Sequence, residues 1–370
     1  MEITIETKGL AKALVTLNKL IARKSTIPLL QCVKLDATAS GLRLIGTDLD
    51  TWLTLDLDAD VDAPGSLCVD AHGLHALIKQ AKGVATLKIE DSKLIVAHGR
   101  ARMAIQAHPV DDFPAPKFRE QMDAALPLEI VEATRKDMLA SVSHAVSTEV
   151  HRYYLNGIFM HHSATGLTFA ATDGHRLARY CTTIGYTGPD VILPSGVCAL
   201  WAGMAGHTAM RVLGPDDGLR LRLQGAGWQI DAKPIDGTFP HYSRVIPTRN
   251  NKRLVIDSAA FGEAVKQVSS VCTEKTRAVK LTIERDSLSV SATSPDTGTA
   301  SMGVSCDYTP HKSDPQTLQI GFNAKYVLQM LKALDCERVE VMLDDAAAPT
   351  WFRDAAGKRA ADFVLMPMRV

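Results

Sequence analysis

Residues 166–175 read "GLTFAATDGH", a short alternating run that ends in Thr172, Asp173, Gly174 and His175. Alternation at period two predicts a strand with one covered face, and Asp-Gly after a threonine predicts a tight turn. The same pattern stands at 41–50, "GLRLIGTDLD", and at 287–296, "SLSVSATSPD". The threonines Thr47, Thr172 and Thr293 are 125 and then 121 residues apart. Recurrence at a fixed period marks tandem copies of one folding unit.

Other features keep the same register. The segments "VDAHGLHALIKQA", "LPSGVCALWAGMA" and "FNAKYVLQMLKAL" each predict an amphipathic helix, capped by Asp70, Ser195 and Asn323, which are 125 and 128 residues apart. Such side chains accept the orphan amides of a first helical turn. An earlier helix in each copy is predicted to begin near Lys8, Thr134 and Ser258, and Phe113 and Phe239 align 126 residues apart. The chain therefore reads as three copies, over 1–125, 126–250 and 251–370. Period-two runs such as "LRLRLQ", "WQIDAKPI" and "VEVML" predict antiparallel sheets, and two helices per copy cover one face, an α+β fold.

Composition narrows the class. Hydrophobic residues make up 46% of the 370 and charged residues 22%, the balance of a soluble globular protein. The N-terminus does not read as a secretory signal, and no apolar run is long enough to span a membrane. The seven cysteines are scattered without a CxxC pair, which predicts reduced thiols in a cytoplasmic protein and no zinc site. Forty-one basic residues balance forty-one acidic ones, so any nucleic-acid surface depends on where the charge sits.

The chemical candidates are thin. Asp173 and His175 lie too close along one turn to converge, and no GxSxG elbow supplies a nucleophile. Asp48, Asp50, Asp56, Asp58 and Asp60 fall at even intervals, the pattern of the solvent face of an edge strand. His161 and His162 are adjacent and face apart on a strand. "AAGKRA" lacks the upstream glycine and the Ser or Thr of a phosphate loop. No cofactor and no metal are expected, and the chain reads as a binding protein. Lys8, Lys12, Lys19, Arg23 and Lys24 cluster around the first helix, Arg135 and Lys136 open the second copy's helix, and Lys266, Lys275, Arg277 and Lys280 follow in the third. Matching cations in three copies predict a lining that meets phosphates without reading sequence.

Five longer motifs, "HRYYLNGI" at 151–158, "ATDGHRLA" at 171–178, "DGTFPHYSRVIP" at 236–247, "GFNAKYVLQML" at 321–331 and the terminal "MPMRV", resemble the bacterial DNA polymerase III beta subunit, the replicative sliding clamp family. The likeness covers the whole chain. It implies three tandem clamp domains, a head-to-tail homodimeric ring around double-stranded DNA held without sequence preference, and a non-catalytic role that confers processivity on the polymerase. It also implies docking of short linear motifs from the DNA polymerase III alpha subunit, the clamp loader delta subunit, other polymerases and repair or ligation factors, in the bacterial cytoplasm at the replication fork.

Carried over by matching motifs, the peptide pocket comprises Leu155, Thr172, Gly174, His175, Arg176, Leu177, Pro240, Arg244, Val245, Val364, Met366, Pro367, Met368 and Arg369, with Asn323 and Tyr326 adjoining. Arg176, Arg244 and Arg369 are expected at its rim, and Phe363 and Leu365 are expected to face away. The resemblance also implies DNA contacts at Lys24, Tyr153 and Tyr154. Met103 and Ile105 stand where better-known members carry phenylalanine, facing Val271 of another subunit. Glu149 stands in place of a glutamine, where a carboxylate would repel phosphate.

Overall fold

The computed structural model describes residues 1–116, 119–214, 218–273, 277–311 and 316–370. They form two compact units: Met1–Arg135 with Gly196–Pro234, and Lys136–Ser195 with Ile235–Val370. Among the described residues, helices run over Thr7–Leu17 (α1), Ala71–Ile78 (α2), Arg119–Ala124 (α3), Glu132–Val142 (α4), Ser195–Ala202 (α5), Ser258–Val268 (α6) and Ala324–Leu334 (α7). Six of them fall where the repeat places helices. The short α3 was not anticipated.

Local chemistry explains the helix starts. In α7, Ala324, Val327, Met330, Leu331 and Leu334 are buried at spacings of three and four, so they share one face. Asn323 caps it by accepting from the amides of Lys325 at 3.0 Å and Tyr326 at 3.4 Å, and Asp70 caps α2 through the Gly73 amide at 2.6 Å. The third predicted cap differs. Helix α5 begins at Ser195 itself, directly after Pro194, and the Ser195 amide is taken by the Asn156 carbonyl at 3.1 Å. Ser195 is thus the first residue of the helix rather than its cap, and the helix begins one residue earlier than a serine cap would place it.

Among the described residues of the first unit, thirteen strands form one sheet with antiparallel pairings, from Leu128–Ile130 at one edge to Asp60–Ala63 at the other. Trp228–Ala232 pairs with Thr51–Leu57, Ile230 opposite Leu53, so the middle copy of the repeat adds strands to this sheet. The Thr51–Leu57 strand is therefore interior, not the edge that its aspartates predict. Those carboxylates are satisfied locally instead. Asp48 accepts from the amides of Asp50 at 3.1 Å and Thr51 at 2.7 Å, Asp50 binds Lys233 at 2.7 Å, and Asp56 binds Arg43 at 2.7 Å. Only Asp60 lies on the edge strand.

Among the described residues of the second unit, twelve strands run from Val191–Pro194 to Leu318–Asn323. The middle copy joins here where Arg176–Cys181 pairs with Ala361–Leu365. Helices α6 and α7 pack on each other, and Phe261, Phe322, Phe352 and Phe363 are fully buried beneath them or in the sheet. All seven cysteines are free thiols. Burial pushes Cys198 up to about 12, which keeps it protonated and inert. No helix among the described residues is long and apolar enough to cross a membrane.

Candidate functional site

The 172–176 turn is locked by its own side chains. Thr172 Oγ1 donates to the Arg176 carbonyl at 2.6 Å and accepts from the Gly174 amide at 3.1 Å. Asp173 accepts from the amides of His175 at 3.0 Å and Arg176 at 3.1 Å, and from Arg176 Nε at 3.0 Å. Its carboxylate is thus spent on the turn and on Arg176, which leaves the exposed His175 ring without the partner a general base needs. Gly174 has φ +89°, a conformation that glycine adopts without steric cost. Thr47 makes the same short bond, to the Leu49 amide at 3.0 Å. Thr293 does not: it lies inside the Ser287–Ser294 strand, opposite Thr299, because the hairpin there turns further along.

Strand register then assembles a groove floor. Leu177 is opposite both Thr172 and Val364, and Val364 is opposite Trp351. Residues directly opposite on neighbouring strands share a face, so Thr172, Leu177, Val364 and Trp351 make one row. Leu155, Ala170, Leu177, Ile192, Phe239 and Val364 form a buried cluster on this face, with Tyr154, Phe159, Tyr242 and Trp351 packed at its margin. Around it Val245 is 47% exposed, Met366 41% and Met368 38%, large apolar groups left in water. Pro240, Arg244 and Arg369 are exposed beside them, and Pro367 is half-buried.

The tail that carries the methionines is tied at two points. The Met366 amide donates to the His175 carbonyl at 2.9 Å and the Met368 amide to the Gly321 carbonyl at 2.8 Å. A Cβ at Gly321 would stand 2.3 Å from Val370 Cγ1 and 2.5 Å from the Met368 carbonyl oxygen, so only glycine lets the tail approach. Phe363 is turned to the other face, its ring 5.3 Å from that of His144.

Arg176 corrects an expectation. It sits opposite Leu365, on the helix side of the sheet, and is 7% exposed rather than at the rim. Its guanidinium donates to Gln329 Oε1 at 2.6 Å and to the His144 carbonyl, and lies 4.1 Å over the Tyr326 ring. A buried guanidinium is tolerated only when its donors are paired, and the helix side supplies those partners. Tyr326 stands with Arg176 there, and Asn323 caps the helix that carries Tyr326. Burial, and then the Arg176 charge, push the His144 imidazole down to about 4.

The cation candidates divide. Lys8, Lys12, Lys19, Arg23 and Lys24 are exposed in the first unit, and Lys266, Lys325 and Lys332 are exposed on α6 and α7 of the second. Arg277 is exposed, Lys280 half-buried, and Lys275 lies outside the described residues. Arg135 is not part of any lining: it is fully buried and donates to Thr208 Oγ1 at 3.0 Å and to the carbonyls of Gly206 and Met204. Tyr153 is 54% exposed, whereas Tyr154 packs against the groove cluster. Glu149 is paired with Arg152 at 3.2 Å, which offsets its charge.

Met103 and Ile105 alternate half-buried along Ala101–His108. That strand pairs with Lys93–His98 along one side but with Gly65–Asp70 only at Ala107 and His108, leaving one side of 101–106 open among the described residues. Gly298–Thr309 shows the same arrangement in the second unit: Lys252–Asp257 covers only 306–309, and Ala300, Met302 and Val304 are half-buried beside the open part. Sequence reasoning missed this second edge, although its period-two alternation was visible. Val271 ends the 3-10 turn Ser269–Val271 that follows α6.

Known proteins resemble this chain over its whole length. Residues 1–117 match the N-terminal domain of the DNA polymerase III beta subunit, 129–241 its central domain and 243–369 its C-terminal domain. The beta sliding clamp of Caulobacter vibrioides is 32% identical, and that of Escherichia coli K12 29%, each over the full length of both chains. A crystal structure of the Bartonella birtlesii sliding clamp bound to griselimycin superposes with a TM-score of 0.90 at 31% identity, covering all of both chains. A Caulobacter crescentus beta sliding clamp does so with the same values. The Bacillus subtilis clamp, at 20% identity and a TM-score of 0.90, shares the fold. Three tandem domain matches and full-length relatives place the chain in the DNA polymerase III beta subunit family, the beta sliding clamps, non-catalytic processivity factors that tether the replicative polymerase to DNA.

Proposed function

We propose that two copies of this chain close head to tail into a ring around duplex DNA, and that the groove of the second unit receives short linear peptides from the proteins the ring holds. The observation that carries the docking half is the apolar row of Leu177 and Val364, flanked by the water-exposed Val245, Met366 and Met368. A compact domain has no reason to leave large apolar groups clustered at a groove unless a partner covers them. Methionines adapt to several side chains, which suits a platform for many partners. Those partners are the DNA polymerase III alpha subunit, the clamp loader delta subunit, other polymerases and repair or ligation factors.

Ring closure is supported by the two open edges, Ala101–Gln106 in one unit and Gly298–Ser305 in the other. An edge invites pairing with another chain, and two dissimilar edges on one chain suit a heterologous contact that closes on rotation. The three domains span 1–125, 126–250 and 251–370, and the exposed lysines of their helices, Lys24 with them, face phosphates that can be exchanged along the duplex. A closed ring keeps a bound polymerase at high effective concentration beside the primer end. The site of action is the bacterial cytoplasm, at the replication fork.

Retention on DNA tests the ring. Labelled protein loaded on nicked circular DNA should stay through gel filtration and be lost when the circle is linearised. Equal loss from both forms would overturn the ring, and unchanged peptide affinity after deletion of 366–370 would overturn the groove.

A further inference from the structure

Helix α7 carries a second stripe, turned away from its buried one. Lys325, Leu328, Gln329 and Lys332 recur at spacings of three and four, so they share one face. Together with Cys272 and Arg277, from the segment after α6, this face encloses a recess of about 440 Å³ in the second unit. Three observations set the recess apart from an ordinary solvated helix face. Its charged wall residues, Arg277, Lys325 and Lys332, are all cations, and no carboxylate lines it among the described residues. Glu274 and Lys275, which lie outside the described residues, cancel in charge. Lys325 and Lys332 form no ion pair among the described residues. Like charges gathered in one recess repel each other, and an anion relieves that repulsion. Gln329, finally, has a fixed orientation. Its Oε1 accepts from Nη1 of the buried Arg176 at 2.6 Å, and Arg176 Nε is held by Asp173 at 3.0 Å. A guanidinium only donates, so the amide must turn its oxygen to Arg176 and keep its NH2 group free as a donor on the recess wall.

We propose that this recess binds a free nucleoside triphosphate, its phosphates held by Arg277, Lys325, Lys332 and the Gln329 amide, and its base lying on Leu328. Size and chemistry select the ligand. A recess of this volume takes a small molecule whole, and three cations with an oriented amide donor match the several oxyanions of a polyphosphate chain. The half-buried Leu328 and the buried Ala324 supply an apolar floor for the base. A duplex presents its phosphates along a convex ridge, which meets protruding lysines and leaves a recess unfilled. The inference depends on neither the ring nor the docking groove. The site adjoins the groove's turn only through the Gln329–Arg176 contact.

The probes are deoxyadenosine triphosphate, deoxyadenosine and a short blunt duplex, titrated into the full-length chain by calorimetry. The triphosphate should bind with a dissociation constant below about 1 mM at low salt, and several-fold more weakly once added salt screens the cations. Deoxyadenosine, which lacks the phosphates, should not bind. The double variant Lys325→Ala, Lys332→Ala should weaken the triphosphate about tenfold or more. Alanine favours an exposed helix, so the thermal unfolding of that variant should match the parent's. Gln329→Glu gives a second, independent reading. It keeps an oxygen for Arg176 but sets a carboxylate against the phosphates, so triphosphate affinity should fall about tenfold while docking-peptide affinity holds. Absence of triphosphate binding up to about 5 mM, equal binding by the parent and both variants, or equal binding of deoxyadenosine overturns the site. Displacement of the triphosphate by the duplex, with duplex affinity lost in the same variants, would assign these cations to the DNA path and overturn it as well.

Discussion

Arg176 and Arg135 show how little a residue's type says about its task. Arg135 is expected in a cationic lining and Arg176 at the rim of the peptide pocket, yet both are buried and spend their guanidinium donors on carbonyls and side chains of their own unit. The reason is geometric: an arginine can reach across several elements and satisfy acceptors that no backbone amide can reach. His144 lies in the same network and carries a testable consequence. Its folded imidazole protonates only near pH 4, whereas an unfolded one does so near the usual 6.5. Between those values the unfolded chain holds the extra proton, so stability falls as the pH falls through that window. The full loss from this one group is about 3 kcal/mol. Urea denaturation between pH 7 and pH 4 should show it, and His144→Leu should flatten that part of the profile; an unchanged slope would assign the acid sensitivity elsewhere.

At the scale of elements, the C-terminal tail is the part that sequence periodicity reads least well. "FVLMPM" by its own pattern reads as a final core strand, and as a groove wall only through the family resemblance; the structure makes it both: Phe363 and Leu365 face the helices, while Val364 lies on the groove floor and Met366 and Met368 rise beside it. What holds the wall in place is Gly321, more than forty residues earlier in the chain. Gly321→Ala should push the tail away and weaken peptide binding about tenfold or more, with thermal unfolding shifted by only a few degrees. Titration with a labelled docking peptide checks this, and full affinity with a displaced tail would show that the methionines are dispensable. Helices were easier to read, because a 3.6-residue period and a capping side chain are both local. The Thr51–Leu57 strand was misread as an edge because sequence shows its aspartates but not the Trp228–Ala232 neighbour that covers it.

For the whole molecule, the open edges bear on assembly. Met302 is half-buried beside the exposed part of Gly298–Thr309, as Met103 and Ile105 are beside Ala101–Gln106. Met302→Lys keeps the strand, since lysine can extend its head into water, but places a charge where a second copy would pack. Sedimentation should then show a dissociation constant raised about tenfold or more; an unchanged oligomer would remove this edge from the interface.

The threefold repeat, the α+β class, six of the helices and the family are legible in the chain alone, because each rests on periodicity or on motifs within a few residues of one another. Folding alone brings the middle copy's strands into two different sheets, turns Arg176 away from the groove it was expected to rim, and sets Trp351 in the row of Leu177 and Val364. Those facts depend on pairings such as Ile230 with Leu53 and Leu177 with Val364, which join strands more than 170 residues apart in the chain. Cross-strand register is fixed by side-chain packing between distant segments, and no local pattern records it.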